Sequence, residues 1–274
     1  RRCHRRFFFS RRYPSSGKKI SFKRRRLRGE LVVMKAKALD RPALDFSSVT
    51  ADGDTQQAFK QNGFVHLKGF SREEEINSLL VEGLDAKKKM LVDREEHFRG
   101  APKSYLLAAK GLQNYSDWLS REAHRGSHLP LLVSLLEDEL RPVSTAFVDR
   151  PPGTHERISP HIDAAGRPWH PKAGITLWIA LDQMDRENGC LFYAKGSHKK
   201  RHDENLDITG YHDTSDGAQM IEVKAGDAIV HHAQTVHWSG DNQTDRERRA
   251  ITFFYYGKSS EALLTANSLD SAQH

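Results

Sequence analysis

Three residues have the types and spacing to hold a metal ion: His161 and Asp163 in Ser159-Pro160-His161-Ile162-Asp163, and His237 in Thr235-Val236-His237-Trp238-Ser239-Gly240. In an extended strand alternate side chains share a face, so His161 and Asp163, two apart, reach one ion together. His237, 74 residues beyond Asp163, supplies a third donor. Two imidazoles and one carboxylate on one side of an ion leave its other positions open, the facial arrangement of non-haem Fe(II) oxygenases. Eleven residues after His237 comes Arg248, within Arg246-Glu247-Arg248-Arg249. A guanidinium there can hold the far carboxylate of a dicarboxylic keto acid whose other end sits on the metal, since Arg stays charged and pairs carboxylates bidentately.

Each of these residues competes with a plainer reading. A lone His-x-Asp is more often structural than metal-binding, and it is the downstream His and Arg that set this one apart. His231-His232 are adjacent, so in a strand at most one faces inward; both read as structural or as hydrogen-bonded neighbours of the site. His198, in Gly196-Ser197-His198, reads as a loop histidine. Arg246 and Arg249 are rival anchors to Arg248: alternation turns Arg249 away if Arg248 points in, while Arg246 shares its face. Lys195, Lys199, Lys200 and Arg201 read as a solvated loop.

The elements that must position these residues fall into two halves. In the first, residues 54–61 suit a short helix stopped by Asn62-Gly63, and Phe64 to Lys68 alternate like a strand. Ser71 with Glu74 reads as a capping box before a helix whose apolar stripe is Ile76, Leu79, Leu80 and Leu84. Residues 90–126 show only mixed helix and loop. Leu129, Leu132, Val133, Leu136 and Leu140 form a second stripe, with Pro130 in the first turn and Pro142 as a stop. After Pro142 the pattern becomes short β-branched and aromatic runs: Val143–Val148, Ile158–Asp163, Ile175–Leu181, Cys190–Ala194, Met220–Val223, Ala228–His232 and Ala250–Tyr256. Helices followed by many strands predict a mainly β, α+β fold, an antiparallel sandwich or barrel with helices packed outside.

The net charge of +7 is local: 13 of the 43 Lys and Arg lie in residues 1–29, where no acid occurs. The rest carries 30 basic against 36 acidic residues, a balance of −6 and a poor footprint for nucleic acid. We therefore divide the chain into residues 1–33, a basic segment readable as a transit peptide, an anion-binding arm or an artefact, and 34–274, one domain. Only Cys3 and Cys190 are present, which fits a reducing intracellular compartment, with a mitochondrion or plastid implied if the basic segment is a transit peptide. No apolar run is long enough for a membrane span, and oligomeric state is not legible.

Together the segments Asn62-Gly63-Phe64-Val65, Pro151-Pro152-Gly153, His161-Ile162-Asp163, Trp178-Ile179-Ala180-Leu181, Glu187-Asn188-Gly189-Cys190-Leu191, Gly196-Ser197-His198, Gly226-Asp227 and His237 through Arg248 resemble the phytanoyl-CoA dioxygenase family of Fe(II)/2-oxoglutarate oxygenases. The resemblance implies a double-stranded β-helix, the cupin-like jelly roll, with Fe(II) held by His161, Asp163 and His237. It also implies Arg248 as anchor of 2-oxoglutarate, with Ser239 and Trp178 beside that cosubstrate. Dioxygen would be the co-reactant, a C–H bond of a small-molecule metabolite the target, and succinate and carbon dioxide the co-products. Trp238, where family members often have Gly, and Ile162, where a polar residue is frequent, depart from the pattern near the expected pocket, so an acyl-CoA substrate is not implied. Two other classes remain: a jelly-roll Zn or Mn hydrolase or isomerase, which leaves Arg248 without a purpose, and a non-catalytic binding protein.

Overall fold

The computed structural model describes residues 41–99, 107–167, 169–202 and 208–261. The basic segment 1–33 lies outside them. The first helix among the described residues, α1 (Gly53–Asn62), starts where the Asp52 carboxylate accepts from Thr55 N–H (2.8 Å) and ends at Gly63 with φ 85°. A side chain there would strike Thr235 Oγ1 and the His198 ring, so glycine is required for the pivot into β1 (Phe64–Leu67). The long helix α2 (Glu73–Asp93) begins one residue later than expected: Arg72 is the N-cap, and Glu75 rather than Glu74 reaches back to its N–H (2.8 Å). Leu79 is fully buried, but Leu84 is 41% exposed and leaves the apolar stripe.

The stretch that showed no clear pattern contains α3 (Glu95–Phe98), strand β2 (Ala108–Lys110) and α4 (Asp117–Arg125), the last capped by Ser116. The next helix, α5 (Leu129–Leu136), stops at Glu137 in the left-handed region (φ 55°), so Leu140 is not on it, and Val133 is 40% exposed. Leu140 instead opens β3 (Leu140–Asp149). Pro142 is not a helix stop; it sits at a bulge opposite Tyr255, where a missing N–H disturbs the ladder least.

The remaining strands are β4 (Ile158–His161), β5 (Gly174–Ala180), β6 (Leu191–Ala194), β7 (Ala218–Ile221), β8 (Ala228–His232), β9 (His237–Ser239) and β10 (Arg249–Gly257). They form two antiparallel sheets, six strands in the order β1-β8-β5-β10-β3-β2 and four in the order β4-β9-β6-β7. This is the α+β jelly-roll core expected. Strand alternation divides its two cores: Ile175, Leu177 and Ile179 of β5 pack with Phe59, Leu79, Trp118 and Leu132 of the helices. Trp178 and Ala180 belong instead to the cluster that joins the two sheets, with Leu191, Tyr193 and Ile229. Burying each large side chain contributes about 1.5–3 kcal/mol, and the helices seal the outer face of the larger sheet so that its inner face is left for the site.

Candidate active site

His161 and His237 come together because β4 and β9 are neighbours and these two residues are register partners. Their ring centroids lie 4.2 Å apart. Each Nδ1 faces a main-chain carbonyl, Ser159 O at 2.8 Å for His161 and Thr235 O at 2.9 Å for His237. A carbonyl only accepts, so Nδ1 carries the proton in both rings and both Nε2 lone pairs are free for an ion. Burial holds both imidazoles below their usual pKa, that of His237 far below, which keeps those lone pairs unprotonated.

Asp163 arrives by a different route from the one expected. β4 ends at His161, and Asp163 lies in the following turn rather than on the strand. It is nevertheless grouped with the two histidines: one donor atom from each of the three lies within 4.8 Å of the others. Its Oδ2 accepts from Thr176 Oγ1 (2.5 Å) and His231 Nε2 (2.9 Å), while Oδ1 faces His237 Nε2 at 3.9 Å. Burial alone would raise this carboxyl, but the bond from His231 and the neighbouring histidines outweigh it and hold it well below the usual carboxylate range.

Of the three arginines, Arg249 is engaged bidentately by Asp182 (2.8 Å to each oxygen) and Arg246 by Asp185 (2.8 Å). Arg248 is fully buried; its Nε donates to Gly189 O (3.0 Å), its Nη2 has no hydrogen-bond partner, and it has no ion pair among the described residues. Burial, reinforced by Arg150, lowers its pKa to about 9. The Trp178 ring centroid is 5.9 Å from its Cζ. Ser239 is fully buried as well, and its Oγ also lacks a partner. Native interiors rarely leave such atoms unsatisfied. A carboxylate accepts from both kinds of donor and offsets a guanidinium charge, so the chemistry of these residues suits 2-oxoglutarate, and the two free Nε2 atoms with Asp163 Oδ1 suit Fe(II).

His231 faces Asp163 from β8, whereas His232 turns to the other side and bonds Pro171 O (3.1 Å). His198 sits not in a loop but in a single 3-10 turn (Ser197–Lys199), its Nε2 3.3 Å from Lys60 O. Trp238 points away from the site: it stacks on Phe192 (5.6 Å, 6°) and donates to Asp213 (2.8 Å), which also binds Arg157. Its departure from the family pattern therefore pins the segment around Asp213 and does not shape the pocket. Ile162 is buried in the cluster between the sheets. Three contributors had no signal in the sequence. Thr176 and Tyr193 sat in apolar runs, and Lys110, whose charge adds to burial in depressing His161, lay in the patternless stretch.

A profile of the family "Phytanoyl-CoA dioxygenase (PhyH)" matches residues 59–250, more than half of the chain. The rice Phytanoyl-CoA dioxygenase 1 (Oryza sativa subsp. japonica) is 27% identical over 239 residues, covering 71% of this chain and 85% of its own. The peroxisomal phytanoyl-CoA dioxygenase of Rattus norvegicus is 24% identical over 234 residues, 74% of this chain and 67% of its own. The match to the Caenorhabditis elegans phytanoyl-CoA dioxygenase domain-containing protein 1 homolog, 29% identical over 127 residues, covers 40% of this chain and spans less than half of that relative's length, 44%. Among solved structures, the non-heme alpha ketoglutarate dependent carbocyclase SnoK superposes with TM-score 0.61 at 20% identity, over 79% of this chain and 87% of its own. EvdO2 from Micromonospora carbonacea var. aurantiaca, complexed with 2-oxoglutarate, does so with TM-score 0.60 at 21%, over 76% and 92%. At such identities the structural likeness is one of fold. With the matched profile spanning the triad and the two unsatisfied donors, the chain belongs to the phytanoyl-CoA dioxygenase family of Fe(II)/2-oxoglutarate oxygenases.

Proposed function

We propose that this protein is an Fe(II)- and 2-oxoglutarate-dependent dioxygenase that hydroxylates a C–H bond of a small-molecule metabolite. The observation that carries the reading is the pairing of the His161, Asp163 and His237 cluster with the unsatisfied, fully buried Arg248 Nη2 and Ser239 Oγ. His161 and His237 would hold the ion through Nε2 and Asp163 through Oδ1. When bound, the iron and its keto-acid cosubstrate supply dioxygen activation, with succinate and carbon dioxide as co-products. Arg248 and Ser239 would take the far carboxylate and so set the orientation of the keto acid before reaction. Trp178 walls the guanidinium and, with the apolar cluster between the sheets, keeps water from it. Lys110 brings a cation near His161 from the exposed end of β2.

A Zn or Mn hydrolase would leave the buried Arg248 charge without a partner, which disfavours that reading. The deciding experiment is succinate release by protein reconstituted with Fe(II) and 2-oxoglutarate, screened across metabolite pools. Cosubstrate turnover stimulated by one pool supports the proposal; an absence of 2-oxoglutarate binding to the metal-loaded protein removes it. The basic composition of residues 1–33 supports an organellar location, which a fluorescent fusion to that segment tests. Among the described residues, no helix is long and apolar enough to cross a membrane.

A further inference from the structure

Asp163 is the triad member that its strand does not aim. His161 and His237 sit at paired positions of β4 and β9, and each ring is tied by Nδ1 to a carbonyl two residues before it. Asp163 hangs from a turn, tied back where Ala164 N–H donates to Ala233 O (2.9 Å). Its side chain meets two donors from the larger sheet, Thr176 of β5 and His231 of β8, both on Oδ2. The other nitrogen of His231 lies 3.0 Å from the hydroxyl of Tyr193, on β6 of the smaller sheet. Tyr193 is held in turn between Phe64 (ring centroids 4.5 Å, 24°) and His237 (5.6 Å, 20°). Tyr193 and His231 are 0% and 2% exposed, so water does not compete for these bonds.

The direction of the chain follows from chemistry. A carboxylate only accepts, so His231 Nε2 donates to Asp163 in either protonation state of the ring. With Nε2 carrying the proton of the neutral ring, Nδ1 is an acceptor, and the Tyr193 hydroxyl 3.0 Å away donates to it. Both nitrogens of His231 are thereby engaged. Although its ring is 4.6 Å from that of His237, it has no lone pair left for an ion.

We propose that His231, braced by Tyr193, is a positioning residue of the metal site, occupying Asp163 Oδ2 so that Oδ1 alone faces the ion. The proposal rests on reading the triad as a metal centre. Held this way, Asp163 takes one coordination position and leaves the others to the two histidines and the substrates. Without the brace only Thr176 Oγ1 still holds Oδ2, and the carboxylate swings more readily to two-oxygen binding or away from the ion. Partners of this kind typically change metal affinity 10- to 100-fold on mutation.

The test uses full-length protein loaded with Co(II), whose visible absorption reports the number and kind of its ligands. Dissociation constant, spectrum and metal-free melting temperature are measured for His231→Phe, His231→Gln and Tyr193→Phe. His231→Phe should weaken Co(II) binding about 10- to 100-fold and alter the spectrum. His231→Gln, which keeps a side-chain N–H donor, should recover most of both. Tyr193→Phe, which keeps the ring stack, should weaken binding about threefold to tenfold, the worth of one hydrogen bond. A His231→Phe protein with the parent's affinity and spectrum overturns the proposal, even if its melting temperature falls, because the residue is then merely structural. If His231→Phe does not fold, Tyr193→Phe decides, and an unchanged constant and spectrum again overturn it. Parent protein that binds no Co(II) removes the metal centre itself and the proposal with it.

Discussion

Replacing Arg248 by Met should weaken 2-oxoglutarate binding while leaving the metal-free fold intact, and the structure sets the size of both effects. Arg248 is fully buried, makes one bond through Nε to Gly189 O, and leaves Nη2 without a partner. Burial has brought its pKa down to about 9, which corresponds to a cost on the order of 5 kcal/mol for carrying the charge at neutral pH. The sign follows from proton binding: above about 9, up to the ordinary guanidinium value, the unfolded chain binds more protons at this position, so stability contributed here rises with pH across that window and the full penalty persists below it. Met has a similar apolar length and no charge, so Arg248→Met removes the penalty at the cost of one hydrogen bond, and the melting temperature without cosubstrate should hold or rise. In the complex the same charge is opposed by a carboxylate. Its removal forfeits a charge-assisted contact worth about 1.5–3 kcal/mol, hence roughly a 10- to 100-fold larger dissociation constant. Anaerobic calorimetry of 2-oxoglutarate into Mn(II)-loaded protein, with thermal shift on the same samples, reads both quantities. A dissociation constant within about threefold of the parent, with metal still bound, would refute the assignment and turn attention to Arg150, the other buried guanidinium nearby.

Asp163→Ala should lower metal affinity and abolish hydroxylation, since two neutral imidazoles alone bind a divalent ion less well. Full turnover at saturating iron would falsify its place in the triad. Trp238→Ala should cost about 3–5 kcal/mol in denaturant unfolding, because it empties the stack on Phe192 and frees Asp213. Metal affinity of the folded fraction should stay at the parent value, since the ring faces away from the site, and a loss of affinity would contradict that orientation. Acid should destabilise the metal-free protein well above the carboxylate range. Burial depresses His128 and His232 from 6.5 to about 3, so the unfolded chain alone takes up these protons as pH falls below 6.5. Each such group removes about 1.4 kcal/mol per pH unit until its folded pKa is reached, and no stability from them is lost above 6.5. Equal unfolding free energies at pH 7 and at about pH 5 would count against these burial effects. Deleting residues 1–33, which add charge and no periodic apolar face, should leave melting temperature and iron binding unchanged; a large drop would give that segment a structural role.

Much of this protein is legible in local pattern, because local pattern reports which residues must be buried and where the backbone must turn. Asn62-Gly63 ends α1, the period-two runs mark most strands, and the order of His161, Asp163, His237 and Arg248 along the chain suffices to suggest the site. What failed was wherever a distant partner decides. Leu140 and Pro142 fit a helix pattern as well as a strand, and only pairing with β10 draws them into β3. Spacing from His161 suggests a strand position for Asp163, yet it is in a turn and owes its direction to Thr176 and His231, 13 and 68 residues away. Which of Arg246, Arg248 and Arg249 lacks a carboxylate depends on where Asp182 and Asp185 fall. His231 and His232 are equivalent as neighbours in a sequence, and the strand divides them between the metal pocket and the helix side. Residue type and spacing determine what chemistry is available; hydrogen bonds and charges fall off within a few ångströms, so only the tertiary structure decides which groups are close enough to perform it.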